Sequence, residues 1–481
     1  MTDLSLVRTD LKLLRRITPA RAVERFEAEL RSWAILAASS LAIAGVFAFL
    51  LAMSRVPGME KIVAWPIGFF SKGLVIHVVF SLIIWFLTIF ALLASCASRD
   101  AARGDLRLAA LGRAGLALVS MSFPLLFLPA FHAGTTATLN NYVPVIIHPA
   151  YYLGLAILGL GILLPVIRLF ANTLPRITKL AAMPFATTMG GIVYCVAFIS
   201  FVAGVIGVWG EEPSRQMHEH LFWGGGHVLQ FLYCLLMLTG WYVLARLSLK
   251  TDVIDLDIFK IATGMIALFA LPAILFYAVL EPFSALQTEA FRRLQFVLAF
   301  PSLLIACGAA AAVIRQRAKG LPWQDPAFVA IVLSALEFAV GGTMGLVING
   351  TDTRTPAHYH GVIAGVNLAC MGLMLRYCLP MLSRPPPANA RLKLQIALFG
   401  FGQLLASIGL FLAGGYGAPR KTPSGAVNLA DGAVIGMTLH GIGALFAVLG
   451  GTLFVITVLR SLLKPVQAHS AHSSEPTRVT A

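Results

Sequence analysis

Residues 71–95 read SKGLVIHVVFSLIIWFLTIFALLAS, an apolar run in which His77 is the only ionisable side chain beyond Lys72. A helix rises about 1.5 Å per residue, and about 20 apolar residues cross a hydrocarbon core about 30 Å thick. The run therefore reads as a transmembrane helix. Working outward, similar runs occupy 32–54, 108–130, 148–170, 184–209, 219–245, 258–281, 292–314, 326–349, 356–380, 393–415 and 431–460, separated by short connections rich in Pro, Gly, Arg and Lys. Composition agrees, because 58% of the 481 residues are hydrophobic and 12% charged, against about 45–50% and about 25% in soluble domains. The expected fold class is all-α: a polytopic membrane bundle of about 12 transmembrane helices, with no internal repeat and no soluble domain.

Twelve spans place both termini on one side, and basic residues mark which side that is. Seven lie before the first span, then four, three, three, three and four in the even-numbered connections and three in the C-terminal tail, or 27 of the 36 Lys and Arg. The N- and C-termini are expected in the cytoplasm, and the protein in the bacterial inner membrane. The net charge of +15 then reflects topology and anionic membrane lipid, which excludes it as a sign of nucleic-acid binding. Residues 1–31 form a basic cytoplasmic segment that contains acidic residues and no short apolar core with a cleavage site, unlike a signal peptide. Residues 32–463 form the twelve-helix domain. Residues 464–481, including His469 and His472, form a polar tail expected to be disordered. Cys96, Cys195, Cys234, Cys307, Cys370 and Cys378 lie in or beside apolar spans without a Cys-x-x-Cys pair, and are expected to pack.

Polar groups at membrane depth are costly unless they face the bundle interior, so they carry the functional signal. His77 and His227 each lie about two turns into inward-running spans, His358 and His360 begin span 10, and His440 lies about ten residues into span 12. A single interior histidine is more often a packing residue bonded to its neighbour. Several on different helices at one depth point to metal or haem, since haem iron takes imidazole axial ligands and bundles build such sites from facing helices. In His358-Tyr359-His360 the two imidazoles are about 200° apart around the helix. They suit two cofactors flanking one helix better than one chelated ion, the alternative being one functional histidine and one facing a loop. The turn Tyr416–Lys421 sets Arg420 and Lys421 above these histidines, as partners for carboxylates or as a solvated turn. His218, Glu219 and His220 mark the mouth of span 6, where solvation is the plain reading. His132 and His148, with Pro144 and Pro149, suggest an ordered lid, with helix capping as the alternative.

VIHVVFSLIIWF, WGGGH, AHYHGVIAGV and GAPRK together resemble subunit I of the haem-copper oxidase superfamily, which includes cytochrome c oxidases, quinol oxidases and nitric oxide reductases. The resemblance covers nearly the whole chain. It implies two haems: a low-spin haem with His77 and His360 as axial ligands, and a high-spin haem with His358 as proximal ligand. Arg420 and Lys421 would pair with propionates, and His227 would be a ligand of a distal copper or iron. It also implies other respiratory subunits and an external electron donor such as cytochrome c, a cupredoxin or a quinol.

Departures limit the chemistry. The family takes two more distal-metal ligands from a His-His pair on helix 7, whereas span 7 has no histidine and Leu280-Glu281 falls near that place. Glu281 is a candidate carboxylate ligand, suited to iron more than copper, or faces the aqueous boundary. Phe231 replaces the tyrosine four residues after the helix 6 histidine, Tyr277 is a loose stand-in, and span 8 lacks the family's proton-path lysine. Glu337 is the acidic residue at depth. The leading expectation is a membrane oxidoreductase passing electrons from the low-spin to the high-spin haem to reduce oxygen or nitric oxide, with His358, His227 and Glu281 at the catalytic centre. The alternatives are a non-catalytic haem protein (electron relay, gas sensor or assembly factor) and a cofactor-free transporter with a histidine proton relay.

Overall fold

A computed structural model describes residues 20–58, 69–102, 105–252, 254–348, 350–387, 390–421 and 428–464. Among them are twelve helices long and apolar enough to cross a membrane. In chain order these are α1 Val23–Met53, α2 Phe70–Ala101, α3 Ala109–Phe131, α4 Pro149–Lys179, α5 Ala182–Gly207, α6 Arg215–Leu249, α7 Leu256–Val279, α8 Ala285–Lys319, α9 Pro326–Val347, α10 Arg354–Met381, α11 Ala390–Gly415 and α12 Asp431–Leu463. Each expected span falls on one of them. Residues 1–19 and 465–481, which hold most of the expected N-terminal segment and the tail with His469 and His472, lie outside the described residues.

Sequential helices pack as antiparallel neighbours: α3 with α4, α5 with α6, α9 with α10 and α11 with α12, while α12 returns to α1. The most enclosed helices are α2, α6 and α10, with 72%, 89% and 72% of their most apolar window buried, against 22% for α8. Those three central helices carry His77, His227, His358 and His360. Enclosure explains why their polar side chains are tolerated, since each can find protein partners instead of lipid.

One charge departs from its expected place. Arg168, counted among the cytoplasmic cations, is wholly buried and holds Glu29 of α1 through a forked pair of 2.6 and 3.0 Å. Ser95 of α2 bridges both, 2.6 Å from Arg168 and 3.1 Å from Glu29. A side chain at Gly112 of α3 would collide with the guanidinium and the carboxylate. Four helices thus meet on a compensated ion pair, and this cation needs no lipid headgroup.

Between α3 and α4 the chain forms a short hairpin, β1 Ala137–Thr138 against β2 Val145–Ile146. Tyr151 fixes it by donating to Pro144 O at 2.9 Å.

Candidate functional site

His77 follows two helical turns of α2, and immediately after it the helix loosens into a π-helical stretch, Val79–Ile84. Such stretches often mark functional positions. The imidazole donates from Nδ1 to Ala44 O of α1 at 3.1 Å. On α10, His358 donates from Nδ1 to Gly341 O of α9 at 2.7 Å. A Cβ at Gly345 would lie 2.7 Å from the same ring, so glycine at 345 is what lets the imidazole lie flat on α9. His360 turns the other way, to Gln403 Oε1 of α11 at 3.4 Å, with its ring 6.2 Å from that of His440. His440 in turn donates from Nδ1 to Ala406 O at 3.3 Å.

These bonds share one consequence. A carbonyl acceptor fixes the proton on Nδ1 and leaves Nε2 with the lone pair, the posture of an axial ligand oriented by a protein carbonyl. His77, His358 and His440 have that tautomer, and His360 approaches it through a weaker contact. His358 and His360 do face opposite neighbours, α9 and α11, as the dipeptide spacing requires.

His227 is different. Its Nδ1 is 2.7 Å from Trp223 O and its Nε2 is 2.8 Å from the Tyr142 hydroxyl, so both nitrogens are engaged by the chain. The rings of Tyr142 and Trp223 each lie 4.6 Å from it, with Phe291 beyond at 6.0 Å. The Gly224-Gly225-Gly226 run admits this crowd: side chains there would meet Tyr277 and Phe291, Phe201, and Tyr142 respectively. Burial, with Glu219 adding to it, pushes the Tyr142 phenol up, which keeps it a neutral donor to His227. Glu281 is exposed in the turn after α7. Among the described residues no three His, Cys, Asp or Glu side chains are grouped to hold a metal ion. The residues present fit imidazole-held haem and do not fit a distal copper or iron.

Above the histidines lies a basic cradle. The turn Tyr416–Lys421 is tied to the start of α10 by an Asp352–Pro419 bridge and by Thr353 N donating to Ala418 O at 3.0 Å. Arg420 donates to Tyr359 Oη at 2.7 Å, to Asn141 Oδ1 at 3.0 Å and to Gly350 O at 3.1 Å. Lys421 donates to Leu139 O and Asn140 O in the hairpin loop. Burial and the neighbouring Arg420 push its ammonium down to about 7, with Glu219 opposing. Arg55, from the connection after α1, joins them. Its guanidinium lies 5.5 Å over the Phe70 ring, its Nε is buried without a partner, and burial lowers it to about 10. A buried, partnerless guanidinium nitrogen is the kind of group a bound carboxylate would satisfy.

The hairpin loop is an ordered lid, as the prolines suggested. The reading of a solvated helix mouth is overturned for His218, which is fully buried and bonded to Thr138 at 2.8 Å and Tyr152 at 2.9 Å; Glu219 is half-buried and accepts from Asn141 N at 3.0 Å. Both hold the lid to α6. His148 caps α4, accepting from Ala150 N at 3.2 Å, and its ring lies 5.4 Å from that of His132. Sequence reasoning missed Arg55, Tyr142 and Tyr359. The first two come from connections, where no periodicity marks them, and the third stood in plain view between two histidines.

The model of the cytochrome c and quinol oxidase polypeptide I family matches residues 30–453. An uncharacterized protein of Rickettsia prowazekii is 25% identical, covering 88% of this chain and 94% of its own. Cytochrome c oxidase subunit 1 of Thermus thermophilus is 26% identical over 61% of this chain and 58% of its own. A solved heme-copper terminal oxidase dimer superposes with a TM-score of 0.77 at 18% identity, covering 92% of this chain and 84% of that one, and shares the fold.

Proposed function

The chain belongs to the cytochrome c and quinol oxidase polypeptide I family, and from that premise we propose that it is a two-haem membrane oxidoreductase in which electrons pass from a low-spin haem to a high-spin haem. His77 and His360 would hold the first, His358 the second, and Arg55, Arg420 and Lys421 their carboxylates. When bound, haem supplies reversible one-electron chemistry and, where an axial position is open, binding of a diatomic gas such as oxygen or nitric oxide. The chain's contribution is to fix each imidazole by its Nδ1 and to set two of them on opposite faces of α10. The distribution of basic residues supports a bacterial inner-membrane location with cytoplasmic termini, which puts the lid, the cradle and the haems toward the outer face. There the chain would meet an external donor, cytochrome c, a cupredoxin or a quinol, and other respiratory subunits.

The observation that carries this reading is the shared Nδ1 anchoring of His77 on α2 and of His358 and His360 on α10. It is tested by visible spectroscopy of purified variants. His77→Ala and His360→Ala should each abolish the low-spin band and leave the high-spin signal, while His440→Ala should keep both. A low-spin band that survives His77→Ala and vanishes in His440→Ala would reassign the second axial ligand to His440, whose ring is 6.2 Å from that of His360.

A second reading is favoured by one observation. Both nitrogens of His227 are engaged and aromatic rings fill the space around it. A haem protein that has lost the distal metal, serving as relay, gas sensor or assembly factor, accounts for that arrangement directly.

A further inference from the structure

Glu337 stands midway along α9, fully buried, and neither carboxyl oxygen has a hydrogen-bond partner. An ionised carboxylate without partners at membrane depth is prohibitively costly, so the group rests as a neutral acid and carries a proton. Buried polar groups left unsatisfied call for a reason, and proton relays are a recognised use of acidic residues within membranes.

Its position on the helix supplies that reason. Ser334, Glu337, Gly341 and Gly345 follow one another at intervals of three or four residues, which places them on one stripe. The stripe faces α10. A Cβ at Gly365 would lie 2.9 Å from Ser334 O, and one at Gly361 would lie 3.2 Å from Glu337 O. Gly341 O accepts the His358 Nδ1 proton and Gly345 backs its ring. Glu337 is therefore one turn, about 6 Å along the axis, from the carbonyl that orients His358.

In the other direction Ser334 lies one turn away, accepting from Trp241 Nε1 at 2.7 Å and donating to Gly365 O, and Asp325 caps the helix start on the opposite face. Asp325 pairs with Arg376 of α10 at 3.2 Å and is partly exposed. The ionisable groups that α10 presents along α9 are thus His358 near one end and Arg376 at the other. Besides these, α6 contributes Trp241, and α11 contributes Gln403 beside His360.

We propose that Glu337 is the proton carrier for the site held by His358, refilled from the Asp325 end of α9. This rests on the two-haem redox reading. For each electron that the external donor sends to oxygen or nitric oxide at that site, the Glu337 O–H bond breaks and an O–H bond forms on the gas. The carboxylate then takes a proton from water at the Asp325 end, so charge and protons balance. α8 has no lysine within its apolar part to serve instead.

The test uses the full-length haem-loaded protein. Reduced-minus-oxidised infrared spectra of the unsubstituted protein should show a protonated-carboxyl band that moves in deuterium oxide, and Glu337→Gln should delete that band. The haem spectra of Glu337→Gln should stay as in the parent, and its turnover with an artificial donor should fall about a hundredfold or more. Glu337→Asp should recover part of the rate. A parent protein without the band, or a Glu337→Gln protein that keeps either the band or its turnover within twofold, overturns the proposal. A parent that binds no haem overturns the redox reading itself, which the haem spectrum reports separately.

Discussion

Lys421 shows how a side chain can be tuned by what covers it. Its ordinary value is 10.5, and burial first and Arg420 second bring it to about 7. The folded chain therefore holds a neutral amine between about 7 and 10.5, where the unfolded chain is protonated. More protons on the unfolded state mean that stability rises with pH across that window and that Lys421 costs most below about 7. A bound carboxylate favours the ammonium, so binding takes up a proton in the same window. Porphyrin affinity, followed by absorbance titration, should weaken as pH rises above about 7, and Lys421→Gln should flatten the slope. Equal slopes in parent and variant would remove Lys421 from the cradle. The pair Arg420 and Lys421 was legible because it sits in a short Gly-Ala-Pro-Arg-Lys motif. Arg55 was not, because nothing in the sequence says that the residue two places beyond α1 comes close to Tyr359 and Arg420.

At the scale of elements, the α11–α12 seam decides where His440 stands. Gly436, Gly443 and Gly450 recur every seventh residue on α12, facing Gly402 and Gly409 on α11. A Cβ at Gly443 would lie 2.6 Å from Gly402 O, and one at Gly436 would lie 2.7 Å from Gly409 O. Close backbone approach through small residues is a principal way for helices to associate in lipid, where burial of apolar surface supplies little drive. His440 sits on this seam, bonded to Ala406 O and facing His360. Gly443→Val should cost on the order of 1–3 kcal/mol, read as a lower thermal midpoint, and should perturb the low-spin haem spectrum. Gly451→Val, where the nearest atom lies 3.9 Å away, should leave both unchanged. If the two variants behaved alike, the seam would not set the spacing. The period of seven was readable in the sequence, whereas the π-helical stretch after His77 was not, because it depends on how α2 packs and not on which residues it contains.

At the scale of the whole molecule, hydropathy alone located twelve spans, because each apolar run had to be a helix to satisfy its backbone in lipid. Which polar groups meet was harder to read, since that depends on contacts between helices and on the lid. His227 is the clearest case. The Trp223–His227 motif matched the family's distal ligand, yet Tyr142, 85 residues earlier in the chain, takes its Nε2. The three glycines before His227 admit Tyr277, Phe291, Phe201 and Tyr142 to the space beside α6. Glu281, the other expected distal ligand, is exposed. The proposed haem ligands are His77 on α2 and His358 and His360 on α10, each held through Nδ1. A distal metal needs converging ligands, and the described residues do not supply them. Metal analysis of the purified protein should therefore find iron matching haem one for one and copper at background. His227→Ala should leave that ratio unchanged, because Tyr142 and Trp223 engage both of its ring nitrogens. Stoichiometric copper that is lost in His227→Ala would show that Tyr142 gives way to a metal when one is offered, and would return the chain to the full two-metal chemistry of its family.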